Sequence, residues 1–452
     1  MSGASLIVCL ALTAAAPGPG DLIAGLGSAR YADREAAASA LERLGRSALP
    51  ALRASRDHPD LEVRTRVAAL LEKIEGALLL EPTPVVLDFQ DRPIAEVLGE
   101  INARTGLQIA LAPDPAPKGL ASRRVTLRSE RPLPFWAAID RLCDAGGLQY
   151  GFPGQAGPTS RDRSFTLAAG GNRPPGLMSD HGPFRVNLMS LHYQRDLTFG
   201  GGGTAMAPRP VGPQGASTTG GQAVNEQFTA RLQAAAEPHL SLRQAGPLKL
   251  ATAVDELGQS LLQPSTAASP FYQPSTYYGM TPGTVPFQAF LKRPDRPGRT
   301  IKLLRGSLPI TIMTRKPGPL VVPLEGATNR TFRNEEVGVV VHEAKPGPNS
   351  NGVSVEVSIT PQSSRAPVVG EVDVFQPRSD MGSLQIELVD AAGRPLGWYP
   401  SSTQQNGDEF RMTLTIVPGP NGAAAPAASL RYYATSRTNA ELPFEFRDVP
   451  MP

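Results

Sequence analysis

The sequence predicts a multidomain protein with an α-helical block at its start, a small α+β domain after it and an all-β region in its second half. Three observations lead to this prediction. Two helical stretches align at a spacing of 30 residues, a strand–helix–strand phrase occurs twice between residues 85 and 152, and helical periodicity fades after Gly170. The period of the apolar residues is the main sequence signal of secondary structure.

Length and composition favour several folded units joined by loops. The chain has 452 residues, and a domain takes roughly 150 residues, so about three domains are expected. Its 46 prolines and 45 glycines are concentrated in discrete stretches, which is typical of linkers and long loops. The net charge is only +3, without a run of five basic residues. We expect no nucleic-acid partner, because such proteins carry a basic patch or stripe.

Residues 1–16 have the pattern of a signal peptide. Ser5–Ala16 is apolar, ends in alanines and is followed by Pro17. A bilayer span takes about 20 apolar residues, so this shorter stretch fits a secretory segment with a small-residue cleavage site. The preceding residues carry no Lys or Arg, and the alternatives are a buried helix or a misassigned start. The pattern predicts export to the periplasm or cell envelope, with no transmembrane helix in the mature chain.

The helical block is predicted for residues 21–80. Tyr31–Gly45 and Leu61–Gly76 align, with Arg34 opposite Arg64. The apolar residues of each stretch fall on one helical face. Short helical pairs that repeat in this way resemble HEAT repeats, and the resemblance implies a solenoid-like block.

The α+β domain is predicted for residues 84–170. Val85–Leu111 and Arg124–Phe152 each run through a strand, Arg-Pro, an amphipathic helix, a glycine (Gly106 or Gly147) and a second strand. A glycine in this position commonly ends a helix. The duplicated phrase favours a binding module, and an exposed strand edge is the surface that would accept a partner strand.

The same region resembles the short N-terminal domain of secretins and TonB-dependent transporters. The matching motifs are Leu87-Asp88-Phe89, Arg92-Pro93-Ile94, Thr105-Gly106-Leu107, Val125-Thr126-Leu127 and Gly147-Leu148. They determine fold rather than chemistry. In that family the domain contacts partner proteins of the envelope, so the resemblance implies a protein-binding module here.

The second half is predicted to be β-rich in two stretches, residues 182–342 and residues 350–450. Short apolar runs recur in both, and Val353–Thr360 alternates apolar and polar residues as a strand with one buried face does. Short strands at regular spacing favour immunoglobulin-like sandwiches. The pattern leaves open whether they form one long sandwich or two short ones.

The sequence contains no catalytic motif. Its five histidines are scattered, and HExxH, CxxC, GxSxG and phosphate-binding loops are absent from it. We therefore predict no catalytic residue, no metal site and no cofactor. Asp255 and Glu256 are interpreted as a solvated turn, and Asp390 lacks the dense acidic pattern of a calcium loop. Cys143 is interpreted as a small buried apolar residue.

Five aromatic residues are candidate binding residues. Phe135 and Trp136 lie in the second helix of the predicted α+β domain. Tyr272, Tyr277 and Tyr278 lie in a stretch rich in Pro and Ser that we expect to be an exposed loop. The alternatives are that the first two pack in the core and that the loop packs its own tyrosines.

Together these features favour a non-catalytic, exported modular protein that binds other proteins or envelope polymers through its helical and α+β modules. Two alternatives stay open. One is an accessory component of an envelope secretion or transport assembly, and the other is a hydrolase with carboxylates on sandwich loops. A cleft that gathers Asp, Glu and His would favour the hydrolase.

Overall fold

The structure is a computed structural model. It describes residues 17–112, 119–151, 165–170, 177–199, 217–219, 222–263, 284–316, 318–346, 353–361, 385–407, 409–417 and 426–452. The predicted signal peptide, residues 1–16, lies outside the described residues. The chain divides into two compact units, one that ends at Glu81 and one from Pro82 to Pro452.

Strands dominate the protein. They make up about half of the described residues, whereas the described helices are few and short. The predicted fold class, a helical repeat block followed by an α+β domain and an immunoglobulin-like region, is therefore wrong. The chain is a mostly β, multi-sheet protein, and the β-sandwich character that the second half predicted is confirmed in that coarser sense.

The described part of the first unit contains four α-helices, α1 (Pro19–Gly25), α2 (Tyr31–Leu44), α3 (Leu49–Ala54) and α4 (Leu61–Leu78), and a 3-10 turn at Gly45–Ala48. Their apolar faces close on one small core that includes Leu26, Leu41, Leu52 and Val67. The HEAT-like repeat prediction is wrong, because α1 and α3 are only seven and six residues long and no stack of equal helix pairs forms among the described residues. An apolar stripe specifies an amphipathic helix but does not specify how helices stack.

The 30-residue alignment corresponds instead to a shared way of starting a helix. Arg34 stands at the fourth position of α2 and donates from Nη1 to the carbonyl of Ser28 at 2.8 Å. Arg64 holds the same position in α4 and donates to the carbonyl of His58 at 2.9 Å. Each guanidinium therefore satisfies a carbonyl of the loop before its own helix.

The second unit begins with a two-helix module. Its elements are β1 (Pro84–Val85), β2 (Asp88–Pro93), α5 (Ile94–Thr105), β3 (Ile109–Leu111), β4 (Arg124–Arg128), β5 (Leu133–Pro134), α6 (Phe135–Gly146), β6 (Leu148–Gly151) and β7 (Phe165–Ala169). β1 pairs with β5, β2 pairs with β4, and β7 lies between β3 and β6. Gly106 and Gly147 end the helices with φ of 72° and 59°, a left-handed conformation that glycine adopts at no steric cost.

The remaining strands form two β-sandwiches. The first set is β8 (Met178–His181), β9 (Phe184–Phe199), β10 (Ser217–Thr219), β11 (Gln222–Ala236), β12 (Ser241–Gln244), β13 (Lys249–Asp255), β14 (Thr284–Leu291) and β15 (Thr300–Arg315). The second set is β16 (Leu320–Pro323), β17 (Arg330–Arg333), β18 (Val337–Pro346), β19 (Val353–Pro361), β20 (Ile386–Val389), β21 (Pro395–Leu396), β22 (Trp398–Asn406), β23 (Glu409–Ile416) and β24 (Ser429–Tyr432). The chain ends with β25 (Thr435–Pro450).

The two sandwiches are built on one strand order. The first has a sheet in the order β8-β9-β11-β14, and the second has a sheet in the order β17-β18-β19-β23 with β22 outside β23. All of these pairs are antiparallel. The opposite sheets pair β13 with β15 and β20 with β24. Facing side chains fill both cores, for example Phe287 and Phe444, whose ring centroids are 6.1 Å apart.

A two-stranded ribbon runs through both sandwiches. β25 returns to the first sandwich and pairs with β15 from Thr300 opposite Pro450 to Arg315 opposite Thr435. β16 continues β15 into the second sandwich and pairs with β24. Lys316 donates its amide to the Ala434 carbonyl at 2.7 Å between the two paired stretches. The second sandwich is thus inserted between the last two strands of the first, and strand pairing crosses the predicted gap between residues 342 and 350.

Candidate functional site

The carboxylates of Asp255 and Asp390, which lie on loops of the predicted sandwiches, accept hydrogen bonds within turns. Asp255 and Asp390 each open a five-residue Asp-x-x-Gly-Gln/Arg turn after a strand, with glycines at φ of 78° and 76°. In each turn, Oδ1 accepts the amides of the second and fourth following residues at 2.7 to 3.0 Å. Oδ2 accepts the side chain of the fourth residue at 2.9 and 2.8 Å.

The electrostatics of these turns agree with a structural role. Burial alone would raise the pKa of Asp255, but its hydrogen bonds outweigh burial and hold the pKa below its ordinary value. Bonds from the amide and side chain of Arg394 lower the pKa of Asp390 in the same way. A general acid or base needs a pKa near the operating pH, so neither carboxylate is suited to proton transfer.

A buried arginine joins the two-helix module to the first sandwich. The Arg185 side chain on β9 is 2 % exposed, and all five of its N–H donors are used. Nε and Nη2 donate to Asp180, Nη1 and Nη2 donate to Asp140 on α6, each at 2.6 or 2.7 Å, and Nη1 also donates to the Tyr150 hydroxyl at 3.0 Å. Its Cζ lies 4.9 Å from the centre of the Trp136 ring. Burial works to lower the pKa of Arg185, but the two carboxylates raise it above its ordinary value. With no donor left for a ligand, this cluster is a structural lock.

The serine–histidine pair of the second sandwich lacks the access that a nucleophile needs. His342 Nε2 lies 2.7 Å from Ser358 Oγ, a distance that suits an activated serine. Ser358 is 1 % exposed and stands on β19, which has strands paired on both sides. His342 is the residue left without a partner where the β18–β19 register shifts. We interpret the pair as the hydrogen bond that satisfies a β-bulge.

The aromatic candidates of the two-helix module are core residues. Phe135 is 0 % exposed and Trp136 is 1 % exposed. Their rings pack edge to face with centroids 5.1 Å apart, and Trp136 Nε1 donates to the Pro183 carbonyl at 3.1 Å. Neither side chain is accessible to a ligand. Tyr272, Tyr277 and Tyr278 lie outside the described residues, and Cys143 is buried as expected.

An outer strand of the second sandwich has the properties of a binding surface. β22 pairs with β23, and no other described strand covers its second edge. Its side chains are exposed from residue 400 to residue 406, so both faces of the strand are open there. It spans nine residues without a charged side chain. At the other end of the sheet, β17 has only four residues and carries Arg330 and Arg333. Short, charged outer strands discourage pairing with another chain, and β22 lacks both features.

Comparisons with family models, curated proteins and solved structures gave no match. The identification with HEAT repeats and with the short secretin/TonB N-terminal domain is therefore wrong. The residues that suggested it cap helices, end helices or fill the core, as Gly106 and Phe89 do. Such residues determine local structure in many folds and do not by themselves identify a family.

The described residues form neither a metal-binding cluster nor a membrane-spanning helix. No group of three His, Cys, Asp or Glu side chains within this part of the chain is arranged to hold a metal ion. None of the described helices combines the length and hydropathy that a membrane span requires. Sequence reasoning missed β22, although a run of Ser, Thr, Gln and Asn without charge was a usable signal.

Proposed function

We propose that this chain is a non-catalytic binding protein of the cell envelope, exported by residues 1–16, which takes an extended segment of a partner protein along the edge of β22. The partner segment would add a sixth strand to the sheet β17-β18-β19-β23-β22. Main-chain hydrogen bonds supply affinity in this mode of recognition, and side chains that alternate along the strand supply specificity.

The observation that carries the proposal is the composition of β22 together with its exposure. Residues 402–406 follow the register shift between Pro400 and Ser402 and are Ser, Thr, Gln, Gln and Asn. Hydroxyl and amide side chains can donate and accept hydrogen bonds in several geometries. Because none is charged, a partner strand meets no charge to desolvate or repel.

The hydrolase alternative has less support. The carboxylate oxygens of Asp255 and Asp390 accept hydrogen bonds from turn amides, and the Ser358 side chain is buried. The assembly alternative differs from the proposal only in the identity of the partner, so one experiment examines both.

The experiment is affinity capture from envelope extract with the full mature chain and two matched variants. Ser402→Lys places a charge on β22 opposite Thr413, and Thr331→Lys places the same charge on β17 opposite Val340. We expect the wild type and Thr331→Lys to retain a partner that Ser402→Lys loses. Amide hydrogen exchange of the captured complex should show new protection at residues 402–406.

Equal capture by the two lysine variants, or new protection confined to other strands, would exclude β22 as the binding edge. A pore protein as the captured partner would identify the assembly function. Circular dichroism of both variants controls for folding, since the two substitutions add the same charge to exposed strand positions of one sheet.

A further inference from the structure

A buried glutamate holds the first residues of the second unit. Glu237 directly follows β11 and is 0 % exposed. Thr83, 154 residues earlier and immediately before β1, donates its amide to Oε1 at 2.9 Å and its hydroxyl to Oε2. Both carboxylate oxygens therefore bind a single residue, which fixes the segment that leads into β1 against the first sandwich.

The position of Glu237 is set by its backbone as well. Its amide donates to the Pro183 carbonyl at 3.0 Å, and the Trp136 indole donates to the same carbonyl at 3.1 Å. The Pro183 carbonyl thus connects Glu237, which holds Thr83, to Trp136 on α6. Loss of that contact would free the segment before β1 without breaking a strand of the sandwich.

Among the residues that the structure describes, no lysine or arginine forms an ion pair with the Glu237 carboxylate. His239 places Nδ1 at 3.7 Å from Oε2, beyond hydrogen-bonding distance, and its side chain is 41 % exposed. Desolvation of the partly covered ring lowers the pKa of His239, which favours the neutral form. On the elements packed around Glu237, Arg185 is fully engaged by Asp140 and Asp180, and none of these three charges shifts the pKa of Glu237.

We propose that Thr83 and Glu237 form a pH-sensitive latch, closed while Glu237 carries a proton and weakened when Glu237 ionises. A neutral carboxylic acid in this position buries no charge. The ionised form buries a charge that only two hydrogen bonds from Thr83 stabilise, and a buried charge without a counter-ion is costly.

The direction of the pH dependence follows from the environment of the carboxyl. Burial raises the pKa of Glu237 from an ordinary value of 4.5 to about 7, although both Thr83 hydrogen bonds act to lower it. Between these two pKa values Glu237 is mainly protonated in the closed latch and mainly ionised in the open latch. The opening equilibrium therefore shifts towards the open state as pH rises through this window. The full window allows a change of at most about 300-fold in the opening equilibrium.

Amide hydrogen exchange of the full chain tests the latch. Protection of the Thr83, Val85, Val86 and Leu87 amides, corrected for the intrinsic pH dependence of exchange, should fall at least about tenfold between about pH 5.5 and about pH 8.5 in the wild type. Glu237→Gln keeps the shape and the acceptor of the side chain but cannot ionise. Its protection should stay the same at both pH values.

Two further variants separate the latch from its neighbours. His239→Gln should keep the wild-type pH dependence, and loss of the dependence would show that His239 is the titrating group, which overturns the proposal. Thr83→Val removes the hydroxyl that stabilises the anion, so the midpoint of the transition should move to higher pH. An unchanged midpoint in Thr83→Val, or the same pH dependence in wild type and Glu237→Gln, overturns it as well. The Thr83→Val result remains decisive even if Glu237→Gln does not fold.

Discussion

Replacing Arg185 by methionine should lower the free energy of unfolding of the second unit by more than the loss of an exposed ion pair of the same length does. Breaking a buried ion pair by removing one partner costs about 3 to 5 kcal/mol, because the other partner is left without compensation. Asp140 and Asp180 are 29 % and 43 % exposed, so water can solvate them once the guanidinium is gone. That solvation places the expected loss near the lower limit, at about 3 kcal/mol. Methionine fills much of the arginine volume, which keeps its packing against Trp136 and limits any cavity.

Urea unfolding followed by tryptophan fluorescence measures this loss. The chain has two tryptophans, so a Trp398→Phe background leaves Trp136, which lies next to Arg185, as the only reporter. The matched control is Arg411→Met. Arg411 Nε lies 2.6 Å from Glu356 Oε1, as close as the contacts of Arg185, but the two side chains are 48 % and 31 % exposed. Exposed pairs contribute less than about 1 kcal/mol.

A lysine at position 185 refines the argument. Arg185→Lys keeps the charge but replaces five donors in a planar fork by three on a point charge, so it cannot hold both carboxylates in two-point contacts. Its stability should fall between that of the wild type and that of Arg185→Met. If Arg185→Met and Arg411→Met cost the same, the cluster does not lock the module to the sandwich and the reasoning from burial is refuted.

Three further perturbations have expected outcomes. Ser358→Ala should lower the urea midpoint, because His342 loses its partner, and should leave hydrolysis of a generic ester at background; an ester hydrolysis seen in wild type and lost in the variant would support the hydrolase. Asp255→Ala and Asp390→Ala should each lower the thermal midpoint at neutral pH. Since both carboxylates have lowered pKa values, their contribution is present above about pH 4 and lost as pH falls below it, so wild type and variants should converge in acid. At the junction of the two ribbon stretches, Glu387 accepts a hydrogen bond from the Tyr433 hydroxyl at 3.0 Å and pairs with Arg315 at 3.6 Å. Because Glu387→Gln removes the charge that holds Arg315, it should increase amide exchange at residues 315, 316 and 432–435 while the sandwich cores stay protected.

What could be predicted from the sequence was local. The amphipathic stripes and terminal glycines of α5 and α6 act within one or two helical turns, and both helices lie where the duplicated phrase placed them. The period-30 alignment found two helix starts of one kind. It did not reveal how those helices pack, because packing depends on neighbours that a stripe does not identify.

The interactions that organise the second unit link residues far apart in the chain. Arg185 meets Asp140 across 45 residues, and Glu237 meets Thr83 across 154. A single sequence holds no signal for such pairs, since each residue alone is an ordinary charged or polar side chain. The return of β25 to β15 is hidden for the same reason. The Asp-x-x-Gly turns are an exception, because Asp255 and Asp390 open the same local pattern twice and a search for that pattern would have found it.

The shared turn and strand order also bear on the tyrosines that the sequence singled out. Residues 264–283 lie in the chain between β13 and β14, and β22 lies between β20 and β23, the corresponding position in the second sandwich. Both segments lack charged residues, and Phe-Tyr-Gln-Pro-Ser-Thr from residue 271 aligns with Trp-Tyr-Pro-Ser-Ser-Thr from residue 398. The alignment sets Tyr272 opposite Tyr399, and Tyr277 and Tyr278 opposite Gln404 and Gln405. Two independent choices, one from aromatic composition and one from strand exposure, therefore fall on uncharged segments that have the same place in the chain order of the two sandwiches. Because outer strands of soluble proteins ordinarily carry charge, the absence of charge from both segments is the sequence property that links the tyrosine candidates to the proposed β22 edge.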